Sequence, residues 1–238
     1  MTNQYTILLR NLSAATQPFY VFQKQAVFLD PGAITTPLTN SLGSRSLAPY
    51  GSSGAQLNFS FDSQVYAGAI STMTSAPTTG ETSTSPSDAL FSSTQSEAYQ
   101  PITLSQFPGD SMSRNQTTLG LYPLSLSVPV NVPGENAGYF SVQVPAFTPS
   151  AVPQLYCGNA CLDSSGIVTL SSYVDPTPNT FLYCSVQPVY YVKVGNYSVG
   201  TRILYDTKTA AACSFLNGVS TILVTYNPDG TFCTQPTA

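Results

Sequence analysis

Alternation is what this sequence repeats. Apolar residues at i, i+3, i+4 and i+7 over a dozen positions, the mark of an amphipathic helix, form no convincing run, whereas period-two stretches recur along the chain. In QLNFSFDSQVYAG (56–68), Leu57, Phe59 and Phe61 share one face, and Asn58, Ser60 and Asp62 the other. LYPLSLSVPVNVPG (121–134) keeps Leu124, Leu126, Val128, Val130 and Val132 in one parity and Pro129 and Pro133 in the other. Proline cannot donate a ladder hydrogen bond, so this stretch is expected on a sheet edge.

YTILLRN (5–11) and PFYVFQKQ (18–25), separated by LSAATQ, read as a hairpin. Further strands are expected at GYFSVQVPAF (138–147), FLYCSVQPVYYVKVG (181–195), TRILYD (201–206) and STILVTYNPDGTFCT (220–234). The last folds back at Asn-Pro-Asp-Gly into a tight hairpin. One or two helical turns are expected in TKTAAACSFLNG (207–218), ending at Gly218. Residues 71–98, dominated by Ser and Thr with little to bury, are expected to be a long surface loop. The reading is therefore all-β: an antiparallel β-sandwich with a long Ser/Thr-rich loop and Pro-blunted edge strands. At 238 residues it is read as one domain, 1–238, the alternative being an N-terminal β domain (1–118) and a Cys-containing β domain (119–238).

Charged residues make up only 8% of the chain and the net charge is −4, so close approach of identical copies costs little electrostatic work. The seven basic residues, Arg10, Lys24, Arg45, Arg114, Lys193, Arg202 and Lys208, are scattered singly, and nucleic acid is not an expected partner. No apolar run approaches the roughly 18 residues of a membrane span, and MTNQYTILLRNLS lacks the basic and long apolar regions of a signal peptide.

The first hundred residues, in the order YTILLRNLSAATQPFYVFQKQ, then GSSGAQLNFSFDSQVYAGAIST, then YQPITL, resemble a widespread, uncharacterised family of small all-β proteins in bacteria and fungi. Within that family the similarity is to the octahedral crystal-matrix proteins (octin) of mucoralean fungi. The resemblance implies self-assembly, with disulfides between molecules. Where this chain has YAGAIST, those relatives tend to carry a cysteine, so no particular bridge is carried over.

All five cysteines, Cys157, Cys161, Cys184, Cys213 and Cys233, lie in the second half. One CxxxC and three singletons do not make a zinc site, and no CxxC supports a redox site. Disulfides or buried thiols remain. A clip between Cys157 and Cys161 is one expectation, and Cys233, near the C-terminus, is the candidate for a bond between molecules.

With no histidine in the chain, Ser-His-Asp and Cys-His catalysis are excluded. Eleven carboxylates are scattered, most beside Gly, Pro or Ser, where Asp serves turns. The chain is read as non-enzymatic, with no catalytic residue, no metal and no cofactor. The expected function is structural: self-assembly into an ordered homo-oligomer or intracellular crystal, with disulfide locking and a vacuolar or other oxidising compartment. The alternative is a carbohydrate-binding, lectin-like module using Tyr50, Tyr66, Tyr99, Tyr122, Tyr173 and Tyr197, although the chain lacks Trp, the usual stacking platform. A viral jelly-roll coat protein fits the composition but not the resemblance. Asn11, Asn58, Asn115 and Asn196 fit the glycosylation triplet, as chance allows in a chain this rich in Ser and Thr.

Overall fold

A computed structural model describes residues 4–30, 36–73, 94–149 and 154–237. Its strands are β1 (Gln4–Asn11), β2 (Gln17–Gln23), β3 (Val27–Leu29), β4 (Leu38–Asn40), β5 (Gly43–Leu47), β6 (Leu57–Asp62), β7 (Val65–Met73), β8 (Thr94–Ile102), β9 (Gln116–Leu121) and β10 (Leu124–Leu126). The second half adds β11 (Tyr139–Gln143), β12 (Leu155–Leu162), β13 (Val168–Val174), β14 (Phe181–Ser185), β15 (Val189–Val194), β16 (Arg202–Ile203), β17 (Ala211–Ser214), β18 (Thr221–Tyr226) and β19 (Phe232–Thr237). One helical turn, α1 (Tyr50–Ser53), and a 3-10 turn at Leu216–Gly218 complete the described elements.

These strands form four sheets, ordered β19-β18-β1-β6, β17-β15-β2-β5, β10-β9-β11-β14-β3 and β16-β4-β13-β12-β7-β8. The fold is all-β and sandwich-like, with two large hydrophobic cores and two smaller buried clusters among the described residues. In the first, Ile7 and Leu9 of β1, Phe59 and Phe61 of β6 and Val224 of β18 meet Phe19 and Val21 of β2, Val192 of β15 and Cys213 of β17. In the second, Leu119 of β9, Phe140 and Val142 of β11 and Leu182 and Cys184 of β14 meet Ala67 and Ala69 of β7 and Leu155 and Cys157 of β12. Apolar residues at alternate positions face inward in both, as two stacked sheets require. Phe19, Phe22 and Phe140 are fully buried, and truncating any one to Ala costs about 3–5 kcal/mol.

Most neighbouring strands run antiparallel, but β1 pairs with β18 in parallel, Thr6 opposite Thr221, and β11 pairs with β9 in parallel. The hairpin expected over 5–25 is not formed. β1 and β2 lie in opposite sheets of the first sandwich, β1 between β18 and β6, β2 between β15 and β5. The buried Asn11 turns the chain from one sheet to the other: its Nδ2 donates to the carbonyls of Ala15 (2.8 Å) and Leu47 (3.0 Å), and its Oδ1 accepts from the Ser13 amide (3.0 Å).

Three further expectations hold only in part. The stretch 207–218 ends in a single 3-10 turn at Gly218, but its middle is β17, because Ala211 and Cys213 alternate into the first core and that burial overrides helix propensity. The loop expected over 71–98 fails at both ends: residues 71–73 complete β7 and residues 94–98 open β8, paired antiparallel. Residues 74–93 of that expected loop lie outside the described residues. The stretch 121–134 does reach a sheet edge, as the three-residue β10. Its later alternating residues are not core, since Val128 and Val130 are exposed. The closing hairpin forms as expected, β18 with β19, and Gly230 takes the positive φ (82°) that its turn needs.

Candidate functional site

Strand β12 connects the two cores. Leu155 and Cys157 point into the second, Cys161 of the same parity points into the first, and Asn159 stands between them. Opposite, β13 carries an extra residue: Asn159 faces Ser172 but Ala160 faces Leu170, leaving Ser171 as a bulge. The bulge brings the β13 backbone so close that a Cβ at Gly158 would lie 2.1 Å from the Ser172 carbonyl oxygen. Only glycine fits there.

At this junction the buried Gln23, the last residue of β2, gathers three donors on its Oε1. They are Asn159 Nδ2 (2.8 Å), Ser171 Oγ (2.9 Å) and Cys161 Sγ (3.2 Å). Its Nε2 faces the carbonyl of Gln187 at 3.4 Å. That carbonyl fixes the amide's orientation, because turning Gln23 over would set two oxygens against each other. Asn159 must then present Nδ2 to Gln23, and its Oδ1 is left buried without a donor from the protein. The thiol proton of Cys161 goes to Gln23, so the Tyr190 hydroxyl is the donor to Sγ across 3.8 Å. Burial, and then Cys161, push the Tyr190 phenol well above its ordinary pKa. Its ring stacks on Phe61 with centroids 4.8 Å apart.

Over this bonded floor lies a cavity of about 240 Å³. Gln23, Asn159, Ala160, Cys161 and Tyr190 are its buried lining; the β6–β7 turn, Leu104 and Val186 are its partly exposed walls. Asp62 is the one carboxylate in the lining, and no Lys or Arg contributes.

All five cysteines are free thiols. The clip between Cys157 and Cys161 is not made, because both lie on one extended strand, where four residues span about 13 Å, well beyond disulfide reach. Burial raises the pKa of Cys157, Cys161 and Cys213 to about 12, and raises Cys184 with a further push from Cys157. A thiol so protonated is a poor nucleophile. Cys233 alone is exposed, and it sits on the edge strand β19 and not in a tail.

The six tyrosines do not form one site. Tyr66, Tyr99 and Tyr173 share the outer face of the six-stranded sheet with Tyr156, packed over Ala160 and Leu170. Tyr173 is buried and its hydroxyl donates to Asn40 Oδ1 (2.8 Å), so it offers no ring face to a sugar. Tyr50 lies beneath the Arg10 guanidinium, Tyr197 leans edge-on against Tyr20, and Tyr122 is exposed in the turn between β9 and β10.

The aspartates mostly serve turns. Asp62, Asp163 and Asp229 each accept the amide two residues on, and Asp110 accepts from Gln106, Met112 and Ser113, which lowers its pKa. Glu135 differs: it is buried, accepts from Ser141 Oγ (2.5 Å), and burial raises its pKa. Among the described residues no three Cys, Asp or Glu side chains come together to hold a metal. Asn11 and Asn115 are fully buried and hydrogen-bonded, which removes two of the four glycosylation triplets as acceptors.

The Gln23–Asn159 junction joins residues that no local spacing in the sequence brings together. Its signal was a Gln closing an otherwise aromatic and branched strand, PFYVFQ, where a polar residue has to find buried partners. No known family, no curated protein and no solved structure matches the chain.

Proposed function

We propose that the chain is a non-enzymatic structural protein that associates with copies of itself into an ordered homo-oligomer or lattice. The observation that carries this reading is an apolar strip at the edge strand of the five-stranded sheet among the described residues. Val27 and Leu29 of the edge strand β3 are 55% and 45% exposed, and Phe181 of β14 is 39% exposed. They share the outer face with Tyr183, which stands directly opposite Leu29. A second copy can bury this strip and pair with the β3 edge at once.

Little charge opposes such contact. The net charge is −4, and Lys193 with Asp206 (2.6 Å) is the only ion pair among the described residues. Cys233 adds an accessible thiol on a second edge strand, able to bridge copies in an oxidising compartment.

Sedimentation velocity on the full chain at low and high salt tests the reading, with Leu29→Lys as the comparison. Large species that persist at high salt and dissociate in the variant are expected. A monomer at high concentration overturns the proposal, as does a small particle that binds a simple sugar. Electrophoresis of material taken directly from cells, with and without reductant, reports separately on Cys233 bridges.

A further inference from the structure

We infer that the cavity at the junction of the two sandwiches is a binding site for a small uncharged molecule that presents one hydrogen-bond donor on a compact apolar body, such as an alcohol or a phenol. The inference is independent of self-association, since the cavity lies at the junction of the two cores and not at the β3 edge.

Three observations define the ligand. Asn159 is 1% exposed, lines the cavity, and holds its Oδ1 without a donor from the protein. The carbonyl of Gln187 and the three donors on Gln23 prevent the amide from turning to relieve this. A buried acceptor in that state is costly, and a ligand N–H or O–H removes the cost.

The second observation is the wall. Val65, Leu104, Ala160, Val186 and Pro188 supply an apolar surface, so the rest of the ligand gains by being apolar. Third, at about 240 Å³ the space exceeds the roughly 150 Å³ that holds benzene, leaving room for a ring and one or two further heavy atoms.

Charge narrows the choice. An anion would meet an amide oxygen and the Asp62 carboxylate with no Lys or Arg in the lining. A cation would lose its hydration against apolar walls; the one charge facing it is Asp62, a partly exposed carboxylate of the β6–β7 turn already engaged by the Gln64 amide, and the floor offers one neutral acceptor. The Cys161 thiol is already engaged with Gln23 and Tyr190, so the site binds without covalent chemistry.

Equilibrium dialysis of the full chain, which works for dispersed or assembled protein, tests this with four probes of one ring size: benzyl alcohol, toluene, benzoate and benzylammonium. Benzyl alcohol is expected to bind saturably, about tenfold more tightly than toluene, for one hydrogen bond to a formerly unpartnered acceptor. Benzoate and benzylammonium are expected to bind more weakly than either. Asn159→Leu should abolish the preference for benzyl alcohol over toluene, and Leu104→Trp, on the partly exposed wall, should block both while leaving the bonded floor intact.

Should Asn159→Leu fail to fold, the four probes on the unaltered chain still decide. Equal affinity for benzyl alcohol and toluene overturns the role of Asn159. Stronger binding of either charged probe overturns the ligand class, and absence of saturable binding up to the probes' solubility means that the space serves solvent only and overturns the site.

Discussion

Replacing Gln23 by Met keeps its length and apolar stem but removes the acceptor that collects three donors at the junction. Asn159 Nδ2 and Ser171 Oγ each lose a hydrogen bond shorter than 3 Å, and Cys161 loses a weaker one at 3.2 Å. A buried donor left without a partner costs about 1–3 kcal/mol. The hydroxyl and thiol can rotate toward other acceptors, whereas the Asn159 amide has no such freedom. The expected loss is therefore about 3 kcal/mol, dominated by Asn159. Urea unfolding followed by tyrosine fluorescence measures it as a lower midpoint at unchanged slope. The double variant Gln23→Met, Asn159→Leu removes donor and acceptor together, so it should be at least ~1 kcal/mol more stable than the sum of the single effects predicts. A loss below ~1 kcal/mol for Gln23→Met, or strict additivity in the double variant, would refute the claim that one fixed network joins the sandwiches.

Other measurements bear on separate parts of the structure. A thiol reagent applied to the folded protein should modify one of the five cysteines, and none in Cys233→Ser; more than one reactive thiol in the native state would contradict the burial of the other four. Glu135 has a folded pKa above its ordinary value, so the native state holds this proton where the unfolded chain has released it. Stability from this group therefore rises as pH falls from 7 through the folded pKa, and is fully present below the usual carboxylate value. Glu135→Gln should flatten the pH dependence of the unfolding midpoint in that interval, and an unchanged slope would argue against the burial of Glu135. Gly158→Ala drives a methyl into the Ser172 carbonyl and should cost more than ~3 kcal/mol or prevent soluble expression; a variant as stable as the parent would show that the β13 bulge is not rigid.

Strand locations were legible because burial on one face writes itself as alternation, and Leu57, Phe59 and Phe61 do all face the first core. Partnership between strands was less so. β1 and β2 each present an apolar face to the same core, and that pattern is identical whether two strands pair edge to edge or face one another across a sandwich. The difference rests on Asn11, whose side chain bonds to Leu47, a residue remote in sequence. Similarly, the apolar run 181–195 belongs to two sandwiches, β14 in the second and β15 in the first, divided at Gln187–Pro188. Its proline was the visible mark of that division. The candidate site was hidden for the same reason: Gln23, Asn159, Cys161 and Ser171 come from three strands, and no local spacing announces that they meet. The Tyr and Cys sets looked more prominent only because those residue types draw the eye.

The parallel pairing of β1 with β18 fixes an order of events during synthesis. Every strand of the second sandwich has left the ribosome once Ile203 emerges, so that unit can close early around Phe140 and Leu182. β1, made before every other described strand, has only β6 beside it until Thr221 and its neighbours appear. That strand thus waits longest for its second neighbour, with Ile7 and Leu9 needing shelter until β18 follows and closes the sheet over them.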